Sequence, residues 1–474
     1  MPSPEVVTNF KNSDGVDLGK KLITKDYLIS VYPQIANQLI TPELWTWGNN
    51  QYGGRGTNDT GTKLIPVTTF AGGTNWKQVE QGGTGASGTG SGFDSPSACI
   101  KNDGTLWTWG SNWGGVLGTN NTTNRNTPVT TFIGGTNWKQ VSIGWQSMSA
   151  IKTDGTLWIW GYGTSGQLGN NTVTNKSTPV TTFIGGTNWK QVSCGYYHTA
   201  AIKTDGTLWT WGLNTAGQLG TNNTTTRSTP VTTFIGGTNW KQVDCGGTMT
   251  ACIKTDGTLW TWGNNVIGSL GINNTTTRST PVTTFIGGTN WKQVSVGFME
   301  YITGYSVVSA IKTDGTLWNW GYNANGQLGT NNTTTRSTPV TTFAGGTNWK
   351  QVGSHCVSFH TAAIKTDGTL WTWGSNNVGQ LGTNNTTTIS TPVTTFAGGT
   401  NWKQASCGGS GCGAIKTDGT LWLWGSDNFS QLGSNTVNVS KSTPVTTFAG
   451  GNNWKQMEGG NTWRMALTYI DSVL

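Results

Sequence analysis

The alternation of apolar and polar residues is clearest in the tract AIKTDGTLWTWG at residues 201–212. Residues 201–203 and 208–211 each place apolar side chains at alternate positions, as strands with one buried face require. Between them Thr204, Asp205, Gly206 and Thr207 supply turn chemistry, because Gly enters positive φ without a Cβ clash and Asp bonds its own backbone. The tract predicts a hairpin. It recurs almost letter for letter at 151–161, 253–263, 311–321, 364–374 and 415–425, with the variant KNDG at 101–104. At Leu44–Gly48 only its second half is present.

From Leu44 onward one unit repeats. LWxWG (strand A) leads into a polar loop of the type NxxGQLGTNNTTTRST and then PVTTF (strand B). A GGTN turn, WKQV (strand C), a variable loop and AIKTDG (strand D) complete it. LWxWG begins at Leu44, Leu106, Leu157, Leu208, Leu259, Leu317, Leu370 and Leu421. The NW motif places its indole at Trp76, Trp138, Trp189, Trp240, Trp291, Trp349, Trp402 and Trp454. Residues 465–470 (MALTYI) supply an eighth strand D. Four short strands in about fifty residues predict a propeller blade. The expected fold is all-β, a closed β-propeller of eight four-stranded blades, with seven blades as the runner-up. The first strand A and the last strand D lack sequence neighbours, so pairing them closes the ring and removes both free edges.

Residues 44–474 thus form the propeller and residues 1–43 a separate N-terminal docking segment. A short strand or helix is expected there around residues 26–32. Leu18, Tyr27, Leu28 and Tyr32 are its candidate docking side chains.

Composition sharpens this picture. With 71 Gly and only 10% charged residues the chain could be disordered, but 27 Trp and a strict repeat call for a packed core. All but three of these indoles fall in LWxWG or NWKQ. Each buries roughly 150–250 Å², on the order of 4–6 kcal/mol gross. The net charge of +8 is spread as one Lys per IKTDG and NWKQ copy. That suits solvated sheet edges and gives no clustered stripe for nucleic acid. No apolar run is long enough for a spanning helix, and the N-terminus lacks a signal-peptide layout. The seven cysteines keep no metal spacing. Cys194, Cys245 and Cys407 interchange with Ile143 and Val296, while Cys99 and Cys252 interchange with Ala150 and Ala201, so they are read as small buried hydrophobes rather than disulfides or ligands.

Comparison among copies separates constant from variable segments. The TDGT and GGTN turns barely change, whereas the C–D loop and the start of the A–B loop change completely. In an up-and-down blade the two constant turns share one face and the two variable loops the other. Tyr and Trp concentrate in the variable loops, and rigid aromatics on loops of a fixed scaffold suit a binding surface. Tolerated drift is the competing explanation. Candidate ligand-binding residues are Trp113, Trp145, Tyr162, Tyr196, Tyr197, His198, Met249, Phe298, Tyr301, Tyr305, Phe359 and Trp463. No carboxylate pair, Ser/His/Asp set or phosphate loop stands out, so no enzyme activity, metal or cofactor is expected.

WGYNANGQLGTNNTTTRSTP at 320–339 and the G-x-x-HTAAIK-x-DG pattern at 195–206 resemble the regulator of chromosome condensation repeat. The resemblance covers about nine-tenths of the chain and implies a propeller, typically of seven blades. The founding member's exchange activity on a small GTPase does not carry over, because no wedge insertion is evident. The ultraviolet-B photoreceptor of the family uses GWRHT motifs, and only Gly144-Trp145-Gln146-Ser147-Met148 comes near, without the Arg. Residues 10–35 resemble N-terminal segments of some bacteriophage appendage proteins. The leading expectation is therefore a non-enzymatic virion component, a tail fibre or capsid decoration. Its N-terminal segment would dock other virion proteins, and its variable face would contact a host surface protein or glycan. The alternative is a cytoplasmic protein-interaction propeller, including a small-GTPase regulator.

Overall fold

The structure, a computed structural model of the 474-residue chain, describes residues 6–11, 17–23, 43–73, 75–82, 96–300, 305–353, 359–459 and 463–468. Its main body is eight four-stranded antiparallel sheets, so the eight-blade expectation holds. Within each sheet the order is C, D, A, B. Blade 3, for example, runs Trp189–Cys194, His198–Lys203, Leu208–Gly212 and Arg227–Thr232. The predicted hairpin is thus the middle of a blade. The GGTN segment is the connector from one blade to the next.

Blade 8 closes the ring with two strands from each end of the propeller: Trp454–Gly459, Trp463–Thr468, Leu44–Gly48 and Lys63–Thr68. Leu44 pairs with Leu467 and Gly48 with Trp463. The closing strand begins two residues earlier than the MALTYI reading, and Trp463 is therefore a strand residue rather than part of a loop. In the N-terminal segment Val6–Lys11 pairs with Asp17–Ile23, which contains Leu18. The element expected at 26–32, with Tyr27, Leu28 and Tyr32, lies outside the described residues.

Strand D is buried along nearly its whole length, because a blade packs on each of its faces. Strand D of every blade contacts strand C of the next, and neighbouring C strands meet around the axis. Strand C is therefore innermost and strand B outermost.

The tryptophans divide by position. The second Trp of each LWxWG and the Trp of each NWKQ are buried, whereas the first Trp of LWxWG is half-exposed. Each buried LWxWG indole also reaches back to the preceding blade. Trp211 Nε1 donates to Gln167 O at 2.8 Å, Trp262 to Gln218 O at 2.8 Å and Trp47 to Gln431 O at 2.9 Å; the other five blades repeat the bond.

The IKTDG lysines are not simply solvated edges. Lys203 Nζ lies 4.8 Å from the Trp189 ring centre and 5.0 Å from that of Trp209, and six further blades repeat this double cation–π contact. Blade 8 has Thr468 at that position.

The constant turns are constant because they pack on each other. Asp205 Oδ1 accepts from Thr207 N at 2.9 Å and Thr207 Oγ1 at 2.7 Å. The bonds from Thr207 hold the Asp205 carboxyl below its usual range. Gly206 sits at φ +81°, and a Cβ there would fall 2.0 Å from Thr238 O of the connector to blade 4. No other residue fits that turn.

The cysteine reading holds in part. Cys99, Cys194, Cys245 and Cys252 are free and buried. Cys407 and Cys412 instead form a disulfide. Cross-strand opposition in one hairpin, not the repeat pattern, brings them together.

Trp262→Ala, which empties a blade interface and removes its indole bond, is expected to lower stability by about 3–5 kcal/mol. Trp260→Ala, at a half-exposed ring, should cost less than half as much. Urea denaturation followed by circular dichroism compares the two.

Candidate interaction face

The A–B and C–D loops lie at the end of the blades opposite the packed TDGT and GGTN turns. Much of the A–B loop is fixed by its own backbone. Asn214 Nδ2 donates to Asn223 O and Thr225 O, and Asn214 Oδ1 accepts from Leu219 N. Asn222, at φ +61°, donates its N–H to Ser279 O of the next blade at 2.8 Å. Variation is left to the first few loop residues and to the C–D hairpin tips.

Five of those variable aromatics, from blades 1 to 3, form one contiguous patch. Trp113 stacks on Tyr162 at 4.8 Å between ring centres, and Trp145 stacks on Tyr196 at 4.7 Å. Trp145 also meets Trp113 at 5.8 Å and Tyr197 at 5.2 Å, and Tyr162 meets Tyr197 at 6.0 Å. The hairpins make this possible. Gly144 N donates to Ser147 O and Gly195 N to His198 O, so two-residue tips hold Trp145 and the Tyr196–Tyr197 pair. Trp113 is 46% exposed, while Tyr196 is largely buried beneath the patch. Beside Trp113 lies an open cleft of about 430 Å³ lined by Tyr52, Ser111, Thr122, Asn124 and Asn175. Rings that stack on one another are held in place before any ligand arrives, which lowers the ordering cost of binding.

A second, smaller group joins Tyr305, Tyr322 and the 42%-exposed Phe359 of blades 5 and 6. Tyr322 is one of the variable-loop tyrosines of the sequence, although it is not among the candidate ligand-binding residues.

Other expected site residues fall elsewhere. His198 and Met249 are 1% exposed and belong to the blade interior. His198 Nε2 bonds Thr250 Oγ1 at 3.0 Å, and burial pushes its pKa down to about 4. Neither residue can meet a ligand on the face, because both begin a strand D that is covered on both sides. Phe298 lies in the extended strand Trp291–Glu300, not in a loop. Its side chain, that of Trp463 and the whole of Tyr301 lie outside the described residues.

Two further features escaped the sequence reading. The Phe of each PVTTF, eight from Phe70 to Phe448, is 60–66% exposed. Strand B ends at the preceding Thr pair, so this ring falls in the turn that follows it. On the axis, the WKQV glutamines tie adjacent C strands together, as in Gln191 Nε2 to Val243 O at 3.1 Å. The position two residues on carries Glu80, Asp244 and Glu458 among mostly serines. Asp244 Oδ2 accepts from Val296 N at 2.8 Å. Burial first, then the charges of Glu458 and Asp244, push the Glu80 pKa up to about 8.

Among known proteins, residues 103–151, 154–202, 205–253, 256–299, 314–364, 367–415 and 418–467 each match the regulator of chromosome condensation (RCC1) repeat. The chain is 28% identical to the ultraviolet-B receptor UVR8 of Arabidopsis thaliana over 72% of its own length and 77% of that protein's. It is 27% identical over 71% of its length to the human E3 ubiquitin-protein ligase HERC2, of which it spans 7%. The solved structure of Prp20p from Saccharomyces cerevisiae, reported with its binding properties to Gsp1p and histones, aligns with TM-score 0.59. That likeness covers 93% of this chain and 95% of the other at 14% identity, and it shows the fold alone.

Between the ordinary glutamate value of 4.5 and about 8 the folded protein keeps a proton on Glu80 that the unfolded chain has released. Stability should therefore fall as pH rises through that window. Glu80→Gln should flatten the decline, read as melting temperature against pH from 5 to 9 (roughly the span set by this linkage). The matched repeats cover more than half of the sequence, and the chain belongs to the regulator of chromosome condensation repeat family.

Proposed function

We propose that this propeller is a non-enzymatic protein-interaction module that binds a partner through the aromatic patch of blades 1 to 3. The observation that carries the reading is the contiguous packing of Trp113, Trp145, Tyr162, Tyr196 and Tyr197 on the face where the copies diverge. Trp and Tyr are the side chains most enriched among residues that dominate binding energy. The relatives described above are proteins of plant and human cells, and they favour a cellular interaction module over the virion appendage suggested by residues 10–35. Exchange activity on a small GTPase is a narrower form of the same reading.

The cleft beside Trp113 supports a second reading. Its mixture of ring faces with Ser, Thr and Asn side chains also suits a glycan, by stacking and hydrogen bonding together.

A photo-crosslinking residue placed at Tyr52, beside the patch, should capture a discrete protein partner in cells of the source organism. The same residue at Phe285, on the opposite face, should not. Trp113→Ala and Trp145→Ala should each weaken the purified complex by about 2 kcal/mol or more, measured by calorimetry. Binding on a glycan array that disappears in Trp113→Ala, with no protein captured, would select the glycan reading instead.

A further inference from the structure

The surroundings of His198 recur in blades 6 and 7 with one decisive exchange. His198 lies opposite Gly212 in its own blade, and its Nε2 bonds Thr250 Oγ1 of the next blade. Thr250 in turn lies opposite Cys245. His360 occupies the same place, opposite Gly374. The residues matching Thr250 and Cys245 are here Cys412 and Cys407, again directly opposed. One hydroxyl has become a thiol, and the trio is now one imidazole and two sulfurs.

His360 and the two cysteines are buried, at 1%, 0% and 0% exposed, and their donor atoms all lie within 4.8 Å of one another. Neither ring nitrogen of His360 makes a well-formed hydrogen bond; the Gly411 backbone is the polar group beside the ring. An imidazole buried without a full hydrogen bond is costly, and at the matching position His198 has one to Thr250.

We propose that, when the Cys407–Cys412 disulfide is reduced, His360, Cys407 and Cys412 form a binding site for one Zn²⁺ ion. Zinc bonds cysteine sulfur at about 2.3 Å and histidine nitrogen at about 2.0–2.1 Å, which sets two tetrahedral sulfur ligands about 3.8 Å apart. Opposed side chains of a narrow strand pair, with Cα atoms 4.1 Å apart, reach that spacing once the S–S bond opens. The Gly411 backbone is placed to hold the second ring nitrogen, as metal-bound histidines require. Gly408, Gly409, Ser410 and Gly411 make a tip with little side-chain bulk, which gives an ion its route in. Three protein ligands leave the fourth position to water.

A thiol or phosphine reductant delivers two electrons, the S–S bond breaks, and each sulfur takes up a proton. Zinc then displaces both protons. The same residues hold either a disulfide or a metal ion, never both.

The test uses the full chain with Cys356→Ser as background, reduced with a water-soluble phosphine and titrated with Co²⁺ as the spectroscopic probe. One equivalent of Co²⁺ per chain should produce a thiolate-to-cobalt charge-transfer band, and Zn²⁺ should abolish it. The oxidised protein should show none. Cys412→Thr recreates the trio already present at Thr250, so it is expected to fold, and it should lose the band. His360→Phe, which removes a ligand outright, should weaken Co²⁺ binding by at least the roughly tenfold to hundredfold that the loss of an outer-shell partner costs. No band in the reduced protein, an unchanged band in Cys412→Thr, or an unchanged Co²⁺ affinity in His360→Phe overturns the proposal. Circular dichroism of each variant confirms the fold, and the oxidised-against-reduced comparison decides the matter should a variant fail to fold.

Discussion

The propeller depends on the junction between one blade and the next, and at each junction stands a buried indole with two tasks. The ring of Trp211, Trp262 or Trp47 fills the space between two sheets, while its Nε1–H satisfies a carbonyl in the loop of the preceding blade. A Leu or Phe could fill much of the volume but would leave that carbonyl without its donor. Apolar packing sets how close two blades come. The indole bond sets the height at which they meet, so each variable loop stands level with its neighbours. The packing of the aromatic patch across three blades is a consequence of that shared height.

The same junction explains why so few residues carry so much of the structure. Each blade has little Leu or Ile, and strand D is buried on both faces by small residues such as Ala200 and Ala201. Small side chains let the sheets approach until the indoles of one blade, held edge to face as Trp189 is with Trp209 and Trp211, pack on Ile151, Leu157 and Ile159 of the blade before it. The lysine laid over each Trp pair covers the one indole that the blade leaves half-open to solvent. Two charges of opposite sign, Lys203 and Asp205, thus serve the hairpin locally and need no partner elsewhere.

Repetition made the architecture legible. Counting LWxWG and NW motifs gave the number of blades, and the unmatched Leu44–Gly48 located the closure. Position within a blade was harder to read. Alternation assigns faces only where one side of a strand is wet, and strand D has no wet side, so His198 and Met249 looked like loop residues when they are interior ones. The PVTTF pattern hid its exposed Phe for a related reason, since the periodicity runs on past the residue at which the strand stops. The Cys407–Cys412 bond was invisible to comparison among copies. Interchange with Ile or Val reports that a site is buried, not what lies across the hairpin from it. The five-ring patch was legible as a set of loop aromatics, but its contiguity depends on which hairpin tips face one another.

Blade 8 draws its four strands from both ends of the propeller, and it lacks the lysine that covers the Trp pair in the other seven. During synthesis blades 1 to 7 can form in turn as the chain leaves the ribosome, each supported by the one before it. Leu44–Gly48 and Lys63–Thr68, made first, must wait for Trp463–Thr468, made last. The nascent protein therefore carries an unsealed seam through most of its production. The least reinforced blade is also the last to be completed, and the lifetime of that seam sets the interval in which a chaperone or a second chain could reach an open edge.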